Sequence, residues 1–341
     1  MKLTKEFGPN DINNQIEATG IKGRHLTFID DLSPNELENV CKTAAMLEPF
    51  WRCGVPLLDG KVLCTQFFQP STRTRFSHET AMSRLGGNVI TESNPLVSSS
   101  VAKGESLYDS LRVTSQYADV IVLRHPDDAV IDTINELGEN SSPIISGGYG
   151  NVTHPTQGLL DMYTAYRALG GDFKNMTVMI ATPDLSRARS GQSFGLGLAR
   201  MGTKLIYSGT TGLETSEVIR EKLDAMKANY TEVNDLTIKQ QEELIADEGV
   251  DLVYLPGCSV KKGDPGREDF LKKMAEFYFT LEGLQKIEKK SGKTVGLMHS
   301  LPRNEDEFDF AIDDSAYQLY FKQIGFSVPL RMSLLANICG V

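Results

Sequence analysis

The stretch Val62-Leu63-Cys64-Thr65-Gln66-Phe67-Phe68-Gln69-Pro70-Ser71-Thr72-Arg73-Thr74-Arg75-Phe76-Ser77 decides how this chain reads. A β-favouring apolar run stops at Pro70 and hands Ser-Thr-Arg-Thr-Arg to the start of a helix. Gly86-Gly87 supplies that helix with a natural stop. Unpaired N–H groups at a helix N-terminus, hydroxyl donors and guanidinium forks together form a phosphate cradle. The stretch is neither a Walker loop, lacking Gly-Lys-Ser/Thr, nor a Gly-x-Gly-x-x-Gly turn. It therefore suits a small phosphorylated molecule better than a nucleotide. Taken alone, the same residues would read as an exposed helix start with two solvated arginines.

Three further segments extend the pattern. Ala118-Asp119-Val120-Ile121-Val122-Leu123-Arg124-His125-Pro126 sets Arg124 just past a continuous apolar run. Thr153-His154-Pro155-Thr156-Gln157-Gly158-Leu159-Leu160-Asp161 follows a Gly-rich stretch, and Met298-His299-Ser300-Leu301-Pro302-Arg303 lies late in the chain. In this order, from about residue 25 to the C-terminus, the set resembles the aspartate and ornithine transcarbamylase family. Its wording leans to the aspartate branch. The branch-like pieces are Ser99-Ser100-Val101-Ala102-Lys103-Gly104-Glu105, Arg124-His125-Pro126 and Val328-Pro329-Leu330-Arg331-Met332-Ser333-Leu334-Leu335.

Composition sets the outer bounds. The 341 residues are long for one core and comfortable for two domains. A hydrophobic content of 40% with 23% charged residues describes an ordinary globular chain. The net charge of −10, with no Lys/Arg-dense stripe, argues against nucleic acid as an obligatory partner. Five scattered cysteines (41, 53, 64, 258 and 339) form no C-x-x-C pair, which points to a reducing compartment. There is no signal-peptide apolar core and no membrane-length apolar run, so the expected location is cytoplasmic and no membrane partner is expected.

Short β-branched runs alternate with amphipathic segments, as in a parallel sheet covered by helices. Strands are expected at 61–68, 87–92, 120–124 and 143–146, with a helix over 33–47 capped by Ser33 before Pro34. Gly147-Gly148-Tyr149-Gly150-Asn151 reads as a flexible turn, and a helix over 155–168 then crosses between domains. The pattern restarts with strands at 176–181, 204–208, 252–255 and 294–298, a helix over 191–201, short helices within 309–323 and a last helix over 328–338. The fold class is α/β with two doubly wound parallel-sheet domains. Such sheets bind ligands at the carboxyl ends of their strands, which predicts a site between the domains. Gly191-Gln192-Ser193-Phe194-Gly195-Leu196-Gly197 departs from the dinucleotide spacing, so close helix–sheet packing is the better use of its glycines.

The resemblance implies more. Residues 1–152 and 326–341, with the last helix returning to the first domain, would bind carbamoyl phosphate, and 153–325 would bind the amino acid. Ser71, Thr72, Arg73 and Thr74 would hold the phosphate, Arg124 would bridge phosphate and carbonyl oxygen, and Thr74 with His154 would complete the oxyanion site. Gln157 and the main-chain carbonyl of Leu301 would read the carbamoyl NH2. In the family, the matching loop of one subunit reaches into a neighbour's site; Lys103 matches its lysine and Ser99, in preference to Ser100, its serine, implying a homotrimer with shared active sites. His125 and His299 are read as structural. His78 stands where relatives carry an aromatic and is read as a packing variant. The chemistry is acyl transfer with phosphate leaving, and it requires no cofactor and no metal. The rate gain comes from electrostatic preorganisation and proximity.

The acceptor side departs from the family. Arg189 falls where aspartate enzymes read the α-carboxylate, while Arg187 reads as a solvated helix-start charge. In Tyr254-Leu255-Pro256-Gly257-Cys258-Ser259-Val260-Lys261-Lys262, Gly257 stands at the place of the arginine that grips the second carboxylate, and Ser259 at that of a glutamine. Lys261 or Lys262 could supply a cation, though a lysine is a point charge and not a fork. Gln69 stands where a glutamate is common, and Ser300 where a proline or cysteine is. L-aspartate, and with it pyrimidine biosynthesis, is the leading acceptor reading on the bulk of the chain. A different amino acceptor, a non-catalytic anion-binding homologue and a nucleotide-binding protein are the competing readings.

Overall fold

The computed structural model describes residues 9–257 and 266–340. Two compact units divide the chain. One runs through Tyr163 and resumes at Gly325; the other is Thr164–Ile324.

The first unit holds a four-stranded sheet of β1 (Val62–Phe67), β2 (Asn88–Glu92), β3 (Val120–His125) and β4 (Ile144–Tyr149), in the order β2-β1-β3-β4 and parallel throughout. The β-branched run Val120-Ile121-Val122 makes β3 a central strand, with every residue through Leu123 fully buried. That is the signature of a parallel strand covered on both faces. The expected Ser33 cap is present: its hydroxyl accepts from the Glu36 N–H and the Glu36 carboxylate accepts from the Ser33 N–H at 2.7 Å, with Pro34 in the first turn. The last helix, Ser327–Cys339, is buried almost all round. It packs on the Pro34–Leu47 and Thr72–Arg84 helices. The Ser333 hydroxyl donates to the Val40 carbonyl at 2.8 Å, and the Ile338 carbonyl accepts from the Gly23 N–H at 2.9 Å. The chain thus returns at its end to the unit in which it began.

The second unit holds β5 (Thr177–Ala181), β6 (Lys204–Gly209), β7 (Tyr230–Asn234), β8 (Leu252–Leu255) and β9 (Gly296–His299), in the order β7-β6-β5-β8-β9, again parallel. Its core joins Met179, Val253, Phe279, Leu297, Phe308 and Tyr320. β7 was not expected from sequence: Tyr-Thr-Glu-Val-Asn lies at the sheet edge, half-buried, and lacks the apolar run of an inner strand. Gly191 and Gly195 do serve close packing. A Cβ on Gly195 would fall 1.9 Å from the Tyr207 hydroxyl, and one on Gly191 would fall 2.9 Å from the Pro256 ring. No described helix is long and apolar enough to cross a membrane.

In each sheet the strand order reverses once, between β1 and β3 in the first and between β5 and β8 in the second. The residues just past the carboxyl ends of those strands are the ones the sequence singles out. Parallel α/β sheets place ligands at these points because neighbouring connections there leave on opposite faces.

Candidate active site

In the first unit, β1 ends at Phe67 and the chain turns through Ser71, the N-cap of the Thr72–Arg84 helix. Ser71 is extended and its hydroxyl makes no capping bond, and the first helical turn holds no acidic residue. This helix start therefore retains donors and its positive dipole end for an anion. Thr72 and Arg73 are exposed, Ser71 is half-buried and Thr74 is buried. Partial burial lowers the Arg73 guanidinium from its ordinary value without threatening its charge. Arg75 lies beside Glu79 at 3.7 Å and over the Phe76 ring.

Arg124, at the end of β3, is 7% exposed, and its Nη1 donates to the Gly147 carbonyl at 2.8 Å. Gly147 and Gly148 belong to β4 and are buried, not the flexible turn expected from two adjacent glycines. The reason is close approach. A Cβ on Gly148 would sit 3.0 Å from Arg124 Nη1 and 3.2 Å from the His154 ring, and its φ of +110° already disfavours any side chain. The fold thereby brings Arg124 and His154 to one place. The His154 Nδ1 lies 3.4 Å from the Thr156 hydroxyl. On the Pro155–Leu169 helix, the Gln157 amide donates to Asp161 Oδ1 at 2.7 Å. With its NH2 held there, the other arm of the amide is an acceptor, the polarity needed to read an NH2 group.

Behind these residues lies a buried polar set that sequence reasoning missed. His78 is fully buried, and its Nδ1–H donates to the Thr74 carbonyl at 2.8 Å. Burial, then the nearby Arg331 charge, push the imidazole down to about 3 against the opposing effect of that bond, so the ring is neutral. Burial pushes Arg331 down to about 10, and Asp161 works in the other direction. The signal available in sequence was an arginine inside an otherwise apolar helix; its neighbours come from positions 170 and more residues away.

The loop after β2 makes a helical turn, Pro95–Ser98, and a 3-10 turn, Ser100–Lys103. Ser99 spends its hydroxyl locally, donating to the Pro95 carbonyl at 2.7 Å and accepting from the Val101 N–H. Lys103 is exposed, as are Leu96 and Val97 beside it. His125 is half-buried against Phe68.

In the second unit, Arg189 begins the Arg189–Arg200 helix after β5, and burial lowers its guanidinium. Arg187 is largely exposed and 3.7 Å from Asp184. β8 ends at Leu255, and Gly257 follows with φ +85°. A Cβ there would lie 3.3 Å from the His299 ring and 3.4 Å from the Ser300 hydroxyl. Ser259, Lys261 and Lys262 lie outside the described residues. After β9, Leu301 adopts φ +54° and its N–H donates to His299 Nδ1 at 2.9 Å. Arg303 is bound by both terminal nitrogens to the Asp313 carboxylate and lies over the Phe308, Phe310, Tyr320 and Phe321 rings.

Family models match both units. One described as aspartate/ornithine carbamoyltransferase, carbamoyl-P binding domain, covers residues 24–167, and one described as the Asp/Orn binding domain covers 174–338. The chain is 46% identical to a ureidoglycine carbamoyltransferase of Rubrobacter xylanophilus, over 96% of each chain. It is 36% identical to the aspartate carbamoyltransferase catalytic subunit of Methanocaldococcus jannaschii, over 92% of this chain and 97% of that one. A solved structure of the M. jannaschii catalytic subunit superposes with a TM-score of 0.77 at 35% identity, over 93% and 99% of the two chains.

Proposed function

The chain belongs to the aspartate/ornithine carbamoyltransferase family, and on that footing we propose that this carbamoyltransferase uses an acceptor with one carboxylate and a neutral ureido arm, namely ureidoglycine. Gly257 carries the proposal. At the end of β8, where aspartate enzymes present a guanidinium to a second carboxylate, this chain has bare backbone with His299 and Ser300 packed against it. Arg303 is no substitute, since Asp313 and four aromatic rings hold it. Arg189 remains for one carboxylate. A dicarboxylate would bring a second charge without the guanidinium that aspartate enzymes supply at this position, a loss of about 2–5 kcal/mol unless Lys261 or Lys262 replaces it. A ureido group is neutral and asks only for hydrogen-bond partners, and Ser259 is our candidate for one. The 46% identity to a protein named for ureidoglycine supports the same reading.

The residues divide the chemistry as follows. Ser71, Thr72, Arg73 and Thr74 bind the phosphate oxygens of carbamoyl phosphate, and Arg124 spans phosphate and carbonyl oxygen. Gln157 and the Leu301 carbonyl accept from the carbamoyl NH2. The neutral amine of the acceptor attacks the carbonyl carbon. As the N–C bond forms, the carbonyl electron pair moves onto oxygen, where Thr74, Arg124 and His154 stabilise it. Collapse breaks the C–O bond, phosphate leaves with that electron pair, and the nitrogen gives up its extra proton to the departing phosphate. From ureidoglycine the products are diureidoacetate and phosphate. The Gly147 carbonyl already holds Arg124, so its charge needs little reorganisation during the reaction.

Ser99 and Lys103 are assigned to a neighbouring subunit's site in a homotrimer, and the protein to the cytoplasm. Mixing inactive Lys103→Ala and Arg73→Ala subunits should restore activity; stable mixed trimers with none would count against shared sites. The acceptor is tested by phosphate release from carbamoyl phosphate with L-aspartate, L-ornithine and ureidoglycine in parallel, and by phosphate-dependent cleavage of diureidoacetate. Turnover with ureidoglycine alone is expected. Turnover with aspartate and none with ureidoglycine would return the chain to the pyrimidine reading.

A further inference from the structure

We propose that His299, oriented by Glu307, is a positioning residue that sets the Leu301 peptide and also walls Gly257, so that one imidazole serves both carbamoyl recognition and acceptor choice. The proposal rests on the reading in which the Leu301 carbonyl accepts from the carbamoyl NH2.

Leu301 is held at φ +54°, a conformation that a branched side chain disfavours. Its N–H donates to His299 Nδ1 at 2.9 Å. A backbone N–H can only donate, so Nδ1 is the acceptor and the ring proton resides on Nε2. Nε2–H lies 3.3 Å from Glu307 Oε1. The other oxygen of that carboxylate accepts from the Asn304 backbone N–H and, at 3.3 Å, from its side-chain amide. A carboxylate is the one group of this shape that accepts on both arms, which fixes the imidazole tautomer. The pair is sealed: His299 is 0% and Glu307 1% exposed, with the ring against Phe308. A group so enclosed does not touch substrate; it acts through Leu301.

The same ring faces the acceptor loop. His299 Cε1 lies 3.3 Å from where a Cβ on Gly257 would be, tighter than ordinary contact, and Nε2 lies at its edge, 3.4 Å away. The Ser300 hydroxyl closes the third side and donates to the Pro256 carbonyl. A side chain at 257 would press on the ring that holds Leu301. Position 257 is therefore constrained by the geometry of position 301, 44 residues later.

The test uses the full-length protein and compares binding of inorganic phosphate with that of phosphonoacetamide, which carries the carbamoyl-like NH2, alongside steady-state kinetics. Wild type should prefer phosphonoacetamide. His299→Phe keeps an aromatic ring but removes the acceptor; it should lose that preference about tenfold while phosphate binding holds, and kcat should fall ten- to hundredfold. His299→Asn, whose carbonyl oxygen can take the place of Nδ1, should recover much of both. Glu307→Gln accepts on one arm only, so either the His299 or the Asn304 bond is lost; a loss of preference in the same direction is expected, and this variant carries the test if His299→Phe does not fold. Unchanged preference and kcat in folded His299→Phe or Glu307→Gln would overturn the positioning role while leaving the Leu301 reading intact. A wild type without preference for the amide would overturn the Leu301 reading itself, and the proposal with it. Gly257→Ala should lower the same preference, and an effect confined to acceptor KM would refute the link between the two positions.

Discussion

The two sheets end in different kinds of chemistry. Past β1 and β3, the first unit presents side chains whose charges and donors are already tied into place: Arg124 to the Gly147 carbonyl and Gln157 to Asp161. Past β8 and β9, the second unit presents backbone, with a glycine at φ +85° and a leucine at φ +54°. Its most conspicuous cation, Arg303, is engaged with Asp313. A phosphate-bearing donor makes the same demand on any enzyme that uses it, and cations and hydroxyls meet it. An acceptor can be chosen by removing a side chain. Under the proposed acceptor, the first unit is specified by what its residues offer, and the second in part by what position 257 withholds.

Three measurements would break or sharpen that contrast. The largest effect should come from Arg124→Ala, because the proposed mechanism places that preorganised donor on the reacting oxygen. The carbamoyl transfer rate should fall about 10²–10³-fold with every acceptor tried. Wild-type rates in this variant would mean the charge at the end of β3 does no work in the reaction.

Arg189→Ala should act on one substrate only. Truncating a buried partner of a carboxylate costs about 2 kcal/mol or more, which is about thirtyfold in acceptor KM. The KM for carbamoyl phosphate should stay near its starting value. An unchanged acceptor KM would remove the last cation assigned to the acceptor.

The third measurement concerns stability and belongs to the first unit. His78 titrates at about 3 when folded and near 6.5 when unfolded, so the unfolded chain binds the extra proton between those values. Stability is therefore full above pH 6.5 and declines as the pH falls toward 3, by up to about 1.4 kcal/mol per pH unit from this group. His78→Phe removes that contribution, leaving a flatter dependence of the urea midpoint on pH between 6.5 and 4. An undiminished slope would mean that His78 is not held neutral by burial and Arg331.

Much of the fold was legible because parallel α/β architecture writes itself into short-range pattern. The runs at β1, β3, β5 and β8 are largely apolar and β-favouring, and they fell within a residue or two of their observed ends. The Ser33 cap, the helix start at Thr72 and the packing use of Gly191 and Gly195 were equally readable. β7 was not, since an edge strand that is only half-buried carries alternating polar residues and no apolar run. Gly147-Gly148 read as a turn because two glycines normally mark one, whereas here they admit the Arg124 guanidinium and the His154 ring. His299 read as structural; its bond to the Leu301 N–H gives that word a more specific meaning.

By itself, then, the sequence determined the residue types past each strand and the family they resemble, because helix starts, apolar runs and charged motifs are local. Only the tertiary structure brought Asp161 within the field of Arg331, sealed His78 from water beside that same charge, and pressed His299 against Gly257. Those relations join positions far apart in the chain, and burial, not spacing, gives each of them its strength. A buried polar group must find a partner or a glycine must make room, and which one it meets is fixed when the sheets are packed.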